Sequence, residues 1–131
     1  MRHCGVVVIK NRQSGMVLDH YAEERIEAYD ADTSNPNHHW YRIPLGGGSF
    51  AYKNVGTGKV LEHYYGDSVQ ALTATTYHPS HQWREVRVGD DSALLLVNCL
   101  SGGALTHCNG LWIQACSTCS DTDKAAHWKL L

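Results

Sequence analysis

The sequence predicts an all-β fold, a β-trefoil made of three repeats of about 43 residues with four short strands each, related by pseudo-threefold symmetry. The first observation is a turn motif, Asn-x-x-Ser/Thr-Gly, which occurs three times and begins at Asn11, Asn54 and Asn98. The second is a tryptophan that closes each repeat, at Trp40, Trp83 and Trp128. Successive copies of these landmarks lie 43 to 45 residues apart. A unit repeated at one period cannot bury its apolar face alone, so the three copies must share one core.

Each repeat opens with a short apolar strand that leads into the turn motif. The Asn side chain would cap the turn, the Ser or Thr hydroxyl would bond the local backbone, and the Gly would adopt a positive φ. In the third copy Gly102 and Gly103 follow Ser101, so the turn is kept. A leucine on the next strand is expected to point inward, and these leucines are Leu18, Leu61 and Leu105.

The next strand of each repeat alternates apolar residues at a period of two, which is typical of strands and not of helices. The first apolar position of this strand holds Ile26, Val69 and Ile113. The second, two residues later on the same face, holds Ala28, Ala71 and Ala115. No segment of the sequence sustains a helical stripe.

Turn-forming residues separate the repeats. Gly46-Gly47-Gly48 provides the first link, and Gly89-Asp90-Asp91 provides a turn near the second boundary. At 131 residues the chain has the length of one domain. We therefore expect a single domain over residues 1–131, with repeats at about residues 5–44, 45–87 and 88–131.

Charge and hydropathy argue against several classes of partner. Lys and Arg total 11, Asp and Glu total 13, and the net charge is −2. Because no basic run could grip a phosphate backbone, nucleic acid is not an expected partner. The apolar run at residues 6–9 is far too short for a signal-peptide core or a membrane span. We therefore expect no membrane insertion and a cytoplasmic protein, with any release following a non-classical route.

The chain has five cysteines, an odd number. In a cytoplasmic protein they are expected to be reduced. Cys116 and Cys119 have a suggestive spacing, and we interpret them as a loop of free thiols, with a disulfide or half a zinc site as the alternatives.

These motifs resemble those of the ricin B-chain-like, or R-type, lectins. Repeats of that family carry Asn-x-x-Ser/Thr-Gly-x-x-Leu-Asp near their start and Gln-x-Trp at their end. The resemblance covers about residues 5–131, and the chain is similar to single-domain microbial and mushroom lectins. It departs from the family at the Gln of Gln-x-Trp, where it has His38, His81 and Ala126.

The resemblance implies a sugar-binding site in the first repeat. A hexose site needs a carboxylate that accepts hydroxyl hydrogens, an aromatic ring for the C–H face of the sugar, and an amide for a further hydroxyl. The family's positions carry over to Asp19 for the carboxylate, Tyr29 for the ring and Asn37 for the amide. His38 stands in the place of the Gln.

The second repeat would keep part of such a site. The matching positions hold Glu62, Leu72, Ser80 and His81, so the carboxylate survives on a longer arm and the ring is lost. A ring would have to come from a neighbouring loop, where the aromatic candidates are Tyr64, Tyr77 and His78.

The third repeat lacks these groups. Its matching positions hold Thr106, Cys116 and Ala125, which supply no charge, ring or amide. We expect this site to be inactive unless Trp112 offers a different platform. The expected order of binding strength is first, second, third repeat.

Nine histidines raise the question of a metal site. Three of them are threefold equivalents with a shared structural or ligand-loop role, namely His20, His63 and His107. His20 and His63 are therefore included with the candidate carbohydrate-binding residues. Because symmetry would scatter the histidines around the barrel, we expect no metal and no other cofactor.

The sequence offers no catalytic motif. A glycosidase needs two carboxylates about 5–9.5 Å apart. Asp19 and Glu62 occupy threefold-related positions, which in a domain of this size lie on the order of 20 Å apart. We therefore expect that the protein is not an enzyme.

The leading hypothesis is a lectin that binds galactose-, N-acetylgalactosamine- or mannose-type glycans, or glycoproteins carrying them. Each site should bind a monosaccharide only weakly, so avidity would require several sites or a homo-oligomer. The alternative is a β-trefoil that has lost sugar binding and uses its loops to bind protein, as a protease inhibitor or a companion subunit of an enzyme. A third hypothesis is a defence module that acts by cross-linking receptors.

Overall fold

The structure is a computed structural model that describes residues 5–21, 24–30, 34–64, 66, 68–89, 92–107, 110–119 and 123–131. Over these residues the chain forms short antiparallel strands. In the first repeat they are β1 (Val6–Val7), β2 (Ile9–Asn11), β3 (Val17–Asp19), β4 (Glu27–Tyr29) and β5 (Trp40–Pro44). In the second they are β6 (Ser49–Asn54), β7 (Val60–Glu62), β8 (Gln70–Leu72) and β9 (Trp83–Arg87). In the third they are β10 (Leu94–Asn98), β11 (Ala104–Thr106), β12 (Gln114–Cys116) and β13 (Trp128–Leu130).

The strands form a barrel closed by three hairpins, which confirms the predicted β-trefoil. The barrel follows the order β1-β5-β6-β9-β10-β13-β2, and the hairpins pair β3 with β4, β7 with β8 and β11 with β12. The opening strand of the first repeat is divided at Val8, and its two parts pair with different neighbours, β5 and β13. This division explains why the described residues form thirteen strands, where four per repeat would give twelve.

Short 3-10 helices complete the architecture, at Pro36–His38, Gly46–Gly48, Pro79–His81 and Lys124–Ala126. Three of them precede the closing tryptophan of a repeat, and the fourth is the predicted glycine link. Among the described residues, no helix has the length and apolar character needed to cross a membrane. The predicted turn at Gly89-Asp90-Asp91 lies partly outside the described residues.

The three closing tryptophans form the centre of the core, as predicted. Their side chains are fully buried. Each indole Nε1–H donates to the carbonyl of the leucine that follows the turn motif in the same repeat, from Trp40 to Leu18 at 3.2 Å and from Trp83 to Leu61 at 3.2 Å. The third pair, Trp128 and Leu105, is joined at 2.9 Å. The tryptophans therefore serve the fold, because each indole fills the core and satisfies its one donor there.

The three turn motifs have the predicted geometry. In the second repeat Asn54 Oδ1 accepts from the backbone N–H groups of Gly56 and Thr57, both at 3.0 Å. The Asn11 and Asn98 side chains make the same pair of contacts in their own turns. The glycine that ends each motif has φ of 76°, and these glycines are Gly15, Gly58 and Gly102.

Hydrogen bonds from each turn reach back into the preceding repeat. Asn54 Nδ2 donates to the Asn37 carbonyl at 2.8 Å, and Asn98 Nδ2 donates to the Ser80 carbonyl at 2.9 Å. Asn11 Nδ2 closes the cycle by donating to the Ala125 carbonyl at 2.8 Å. Each repeat is therefore held by the turn that follows it around the barrel.

The free-thiol prediction is wrong for Cys116 and Cys119, which the structure joins in a disulfide. Their Cα atoms lie 5.5 Å apart, within the range that a disulfide requires. Cys99 is a free thiol. Because disulfides persist mainly in oxidising compartments, these two cysteines no longer support a cytoplasmic location.

Candidate functional site

The first repeat contains an open cavity of about 500 Å³. It is lined by all four residues that the sequence places in the sugar site, Asp19, Tyr29, Asn37 and His38. The structure therefore brings a carboxylate, a phenol ring, an amide and an imidazole to one cleft.

Asp19 lies at the end of β3 with its side chain largely buried. His38 Nε2 lies 3.2 Å from Asp19 Oδ1. Burial raises the pKa of the Asp19 carboxyl, with the nearby Glu27 charge adding to the rise and His38 opposing it. Glu27 is the partner of Asp19 across the β3–β4 hairpin, which accounts for its influence. The cleft thus contains a partly desolvated carboxylate, which is a strong hydrogen-bond acceptor.

The 3-10 helix at Pro36–His38 positions the amide and the imidazole. Its N-cap residue, Asn35, accepts through Oδ1 from the Asn37 backbone N–H at 2.9 Å. The Asn37 carbonyl accepts from the His20 backbone N–H at 3.2 Å, in addition to its bond from Asn54. Because this backbone is fixed from both sides, the Asn37 and His38 side chains are preorganised.

Tyr29, at the end of β4, forms the aromatic wall of the cleft. Its side chain is 52% exposed, which leaves ring surface available to a ligand. Its ring centroid lies 5.9 Å from that of His38. A sugar ring could stack on this phenol while its hydroxyl groups reach Asp19 and Asn37.

The matching carboxylate of the second repeat is bonded within the protein. Glu62 Oε1 accepts from Gln70 Nε2 at 2.9 Å, and Oε2 accepts from Ser80 Oγ at 2.8 Å. His81 Nε2 lies 3.1 Å from the same Oε2. The longer side chain of Glu62 therefore makes three contacts within the protein. Asp19, at the equivalent position of the first repeat, faces an open cleft.

His81 is locked in one orientation by this arrangement. The His78 backbone N–H donates to His81 Nδ1 at 3.1 Å, so the ring proton is on Nε2, which faces Glu62. Burial lowers the pKa of the His81 imidazole, partly offset by the Glu62 charge. Both observations favour a neutral ring with a structural role.

The third repeat borders a cavity of about 700 Å³. Thr106 and Cys116, at the positions of Asp19 and Tyr29, line it together with Tyr64 of the second repeat. Of the residues that the structure describes, those lining this cavity include no Asp or Glu. Trp112 lies elsewhere, in a separate cavity near the pseudo-threefold axis, where the Arg25 guanidinium carbon is 3.5 Å from its ring centroid.

His20 and His63, two further predicted site residues, lie in contacts between repeats. His20 Nδ1 is 2.7 Å from Thr57 Oγ1, and His63 Nδ1 is 2.5 Å from Ser101 Oγ. The equivalent His107 contacts Ser14 in the same way at 2.8 Å. All three rings are buried. The structure does not place His20 among the residues that line the first-repeat cleft.

Four further residues line the first-repeat cleft that the sequence reasoning did not select, Tyr21, Glu27, Asp30 and Asn35. Tyr21 is 75% exposed and is the threefold equivalent of Tyr64. Because Tyr64 was a candidate, the repeat symmetry could have identified Tyr21 as well. Glu27 could have been found from its hairpin register with Asp19.

Within the part of the chain that the structure describes, no cluster of three or more His, Cys, Asp or Glu side chains has the arrangement of a metal site. The groups of the first-repeat cleft are hydrogen-bond donors and acceptors beside an exposed ring. Groups of this kind can form hydrogen bonds and ring contacts with a polar ligand.

The sequence pattern of one family matches residues 2–77, and that family is described as the ricin-type β-trefoil lectin domain-like family. Comparison of the sequence with curated proteins finds no match.

Several solved structures share the fold of this chain. The designed threefold symmetric protein ThreeFoil has a TM-score of 0.83 and 22% identity, covering 97% of this chain and 98% of ThreeFoil. SeviL, solved bound to asialo-GM1 saccharide, has a TM-score of 0.81 and 17% identity, covering 98% of this chain and 97% of SeviL.

A GlcNAcα1-4Gal-releasing endo-β-galactosidase from Clostridium perfringens contains a similar region. Its TM-score is 0.83 at 22% identity, covering 97% of this chain and 32% of the enzyme. At such identities these likenesses show the fold alone.

Proposed function

The chain belongs to the ricin-type β-trefoil lectin-like family, and from that premise we propose that it is a lectin whose first-repeat cleft binds glycans without transforming them. The observation that carries the proposal is the convergence of Asp19, Tyr29 and Asn37 on one open cleft. These are the carboxylate, the ring and the amide that a hexose requires.

The roles of the cleft residues follow from their chemistry. Ionised Asp19 accepts hydrogen bonds from two sugar hydroxyls, and Asn37 bonds a third through its amide. Tyr29 stacks against the C–H face of the ring. His38 orients Asp19 by the contact between Nε2 and Oδ1.

The expected monosaccharide affinity is modest. Each hydrogen bond contributes roughly 1 kcal/mol, or about 1.5–3 kcal/mol when one partner is charged. Three or four such bonds and one stack correspond to a Kd on the order of millimolar to tens of micromolar. Because the second-repeat carboxylate is bonded internally, avidity would come from a homo-oligomer or from contacts further along an oligosaccharide.

The proposed ligands are galactose-, N-acetylgalactosamine- or mannose-type glycans and the glycoproteins that carry them. SeviL, which shares the fold, was solved with asialo-GM1 saccharide. That observation makes asialo-GM1 saccharide a sensible first ligand to include in a panel.

A glycan array tests the proposal directly. The wild-type protein should bind a subset of glycans, and an Asp19→Ala variant that keeps the wild-type melting temperature should lose them. A folded variant that keeps full binding would contradict the site assignment. If the wild-type protein binds no glycan but captures a protease or another protein, the protein-binding alternative is favoured. If the protein cleaves the arrayed glycan, it is catalytic.

A further inference from the structure

We infer that Gly56, in the turn of the second repeat, is a positioning residue for the sugar-binding amide of Asn37 in the first repeat. This inference rests on the proposed function. The structure shows that a Cβ built on Gly56 would overlap Asn37 Oδ1, and would lie 3.2 Å from both Asn37 Cγ and the Asn37 backbone nitrogen. Any residue other than glycine at position 56 would have to displace the Asn37 amide.

The turn itself does not require glycine at this position. Gly56 does not adopt the positive φ that Gly58 has two residues later. The Gly56 backbone N–H donates to the Asn54 side chain at 3.0 Å. The equivalent residues of the other two turns are Gln13 and Leu100, and each makes the same bond at the same 3.0 Å.

The residue that faces each turn differs between the repeats. Asn54, Asn98 and Asn11 each donate through Nδ2 to a residue of the preceding repeat, and these acceptors are Asn37, Ser80 and Ala125 respectively. By the threefold equivalence of these turns, the pair Gly56 and Asn37 corresponds to Leu100 and Ser80 and to Gln13 and Ala125. Glycine occurs only where the facing residue carries a carboxamide.

The first-repeat site is therefore completed by the second repeat at several points. Asn54 holds the Asn37 carbonyl, Gly56 leaves room for the Asn37 amide, and Thr57 bonds His20 in the segment after Asp19. We infer that the functional unit is the first repeat together with the following turn.

The test is a double-substitution cycle with Gly56→Ala and Asn37→Ala. Gly56→Ala should displace the Asn37 amide and so remove its hydrogen bond to the sugar. Binding of the best array glycan should therefore weaken about tenfold. In the Asn37→Ala background the same change should have no further effect on affinity. Leu100→Ala, at the equivalent turn position, is the matched control and should leave affinity unchanged.

Two readouts do not depend on glycan binding. The side-chain ¹H–¹⁵N amide resonances of Asn37, assigned by their absence in Asn37→Ala, should shift in Gly56→Ala and stay in place in Leu100→Ala. If Gly56→Ala lowers the melting temperature or prevents folding, adding Asn37→Ala should restore it, because the second change removes the Asn37 Oδ1 atom that the new Cβ would overlap.

Unmoved Asn37 resonances with unchanged affinity would overturn the inference. Equal losses caused by Gly56→Ala in both backgrounds would also overturn it, since they would show that Gly56 acts through the turn. If the wild-type protein bound no glycan, the proposed function would fail, while the amide shift and the restored melting temperature would still decide the role of Gly56.

Discussion

The first and second repeats contain the same carboxylate position in two different states. Asp19 faces an open cleft, and among the described residues His38 is its ion-pair partner. Glu62, one methylene longer, is bonded by Gln70, Ser80 and His81. From this difference we expect that a carboxylate bonded within the protein binds a ligand less readily than one that faces an open cleft. A binding group must have hydrogen-bonding capacity that the protein leaves unused.

The largest effect is expected from removing the charge of Asp19. Asp19→Asn should weaken glycan binding about 100-fold, because two charge-assisted hydrogen bonds of about 1.5–3 kcal/mol each are weakened. Isothermal titration with the best array glycan measures this. The matched change Glu62→Gln should leave affinity within about twofold, and a comparable loss there would show that the second repeat is the functional one.

Removing Glu62 should instead affect stability. Glu62→Ala leaves Gln70, Ser80 and His81 without their buried acceptor, so we expect a loss of about 2–3 kcal/mol in unfolding free energy. This corresponds to a melting temperature lower by about 10 °C in calorimetry. Asp19→Ala should have a much smaller effect, because burial already disfavours the ionised Asp19 carboxyl and raises its pKa, and its contact with His38 compares with three contacts made by Glu62. Equal destabilisation by Glu62→Ala and Asp19→Ala would contradict the view that Glu62 is bonded into the structure more extensively than Asp19.

Removing the aromatic wall should have a smaller effect on affinity. Tyr29→Ala should weaken binding about three- to tenfold, since stacking on an aromatic ring contributes about 0.5–1.5 kcal/mol. The half-exposed ring contributes little to the core, so the melting temperature should hold. Leu72→Ala is the control in the second repeat, and reduced affinity in that variant would argue against a single site.

Acidification should produce the smallest effect near neutral pH. Burial raises the pKa of Asp19, so the ionised form that binds sugar begins to be lost at a higher pH than for an exposed aspartate. Affinity should therefore fall as pH is lowered from 7 towards 4, while the residual binding of Asp19→Asn stays constant. A pH-independent wild-type affinity would show that Asp19 does not bind sugar as a carboxylate.

The fold could be predicted from sequence because its determinants lie within each repeat at fixed spacings. Asn54 caps its own turn, Gly58 has a positive φ, and Trp83 donates to Leu61 within one copy. The same contacts recur in each repeat at the same spacing, so a turn or strand identified in one repeat supports its identification in the other two.

The geometry of the candidate site could be predicted only in part, because its remaining determinants act between repeats. The sequence aligned Glu62 with Asp19 but could not show that Ser80 and Gln70 would bond it. The roles of His20 and Gly56 depend on which turn packs against which strand, and no spacing within one copy reports that.

The disulfide was only an alternative in the sequence analysis, because the spacing of the two cysteines does not decide their state. A Cys-x-x-Cys spacing is compatible with a pair of thiols, a bridge or a metal site, and only the local turn brings the two Cα atoms to 5.5 Å.

The most direct test of the central claim is a ¹H–¹⁵N NMR titration of the ¹⁵N-labelled wild-type protein with the best array glycan. The account predicts that shifts concentrate on the first-repeat cleft, at Asp19, Tyr29 and the side-chain amide of Asn37, with little change around Glu62 and Ser80. Shifts confined to the surroundings of Glu62, or to the third-repeat cavity beside Thr106, would contradict it.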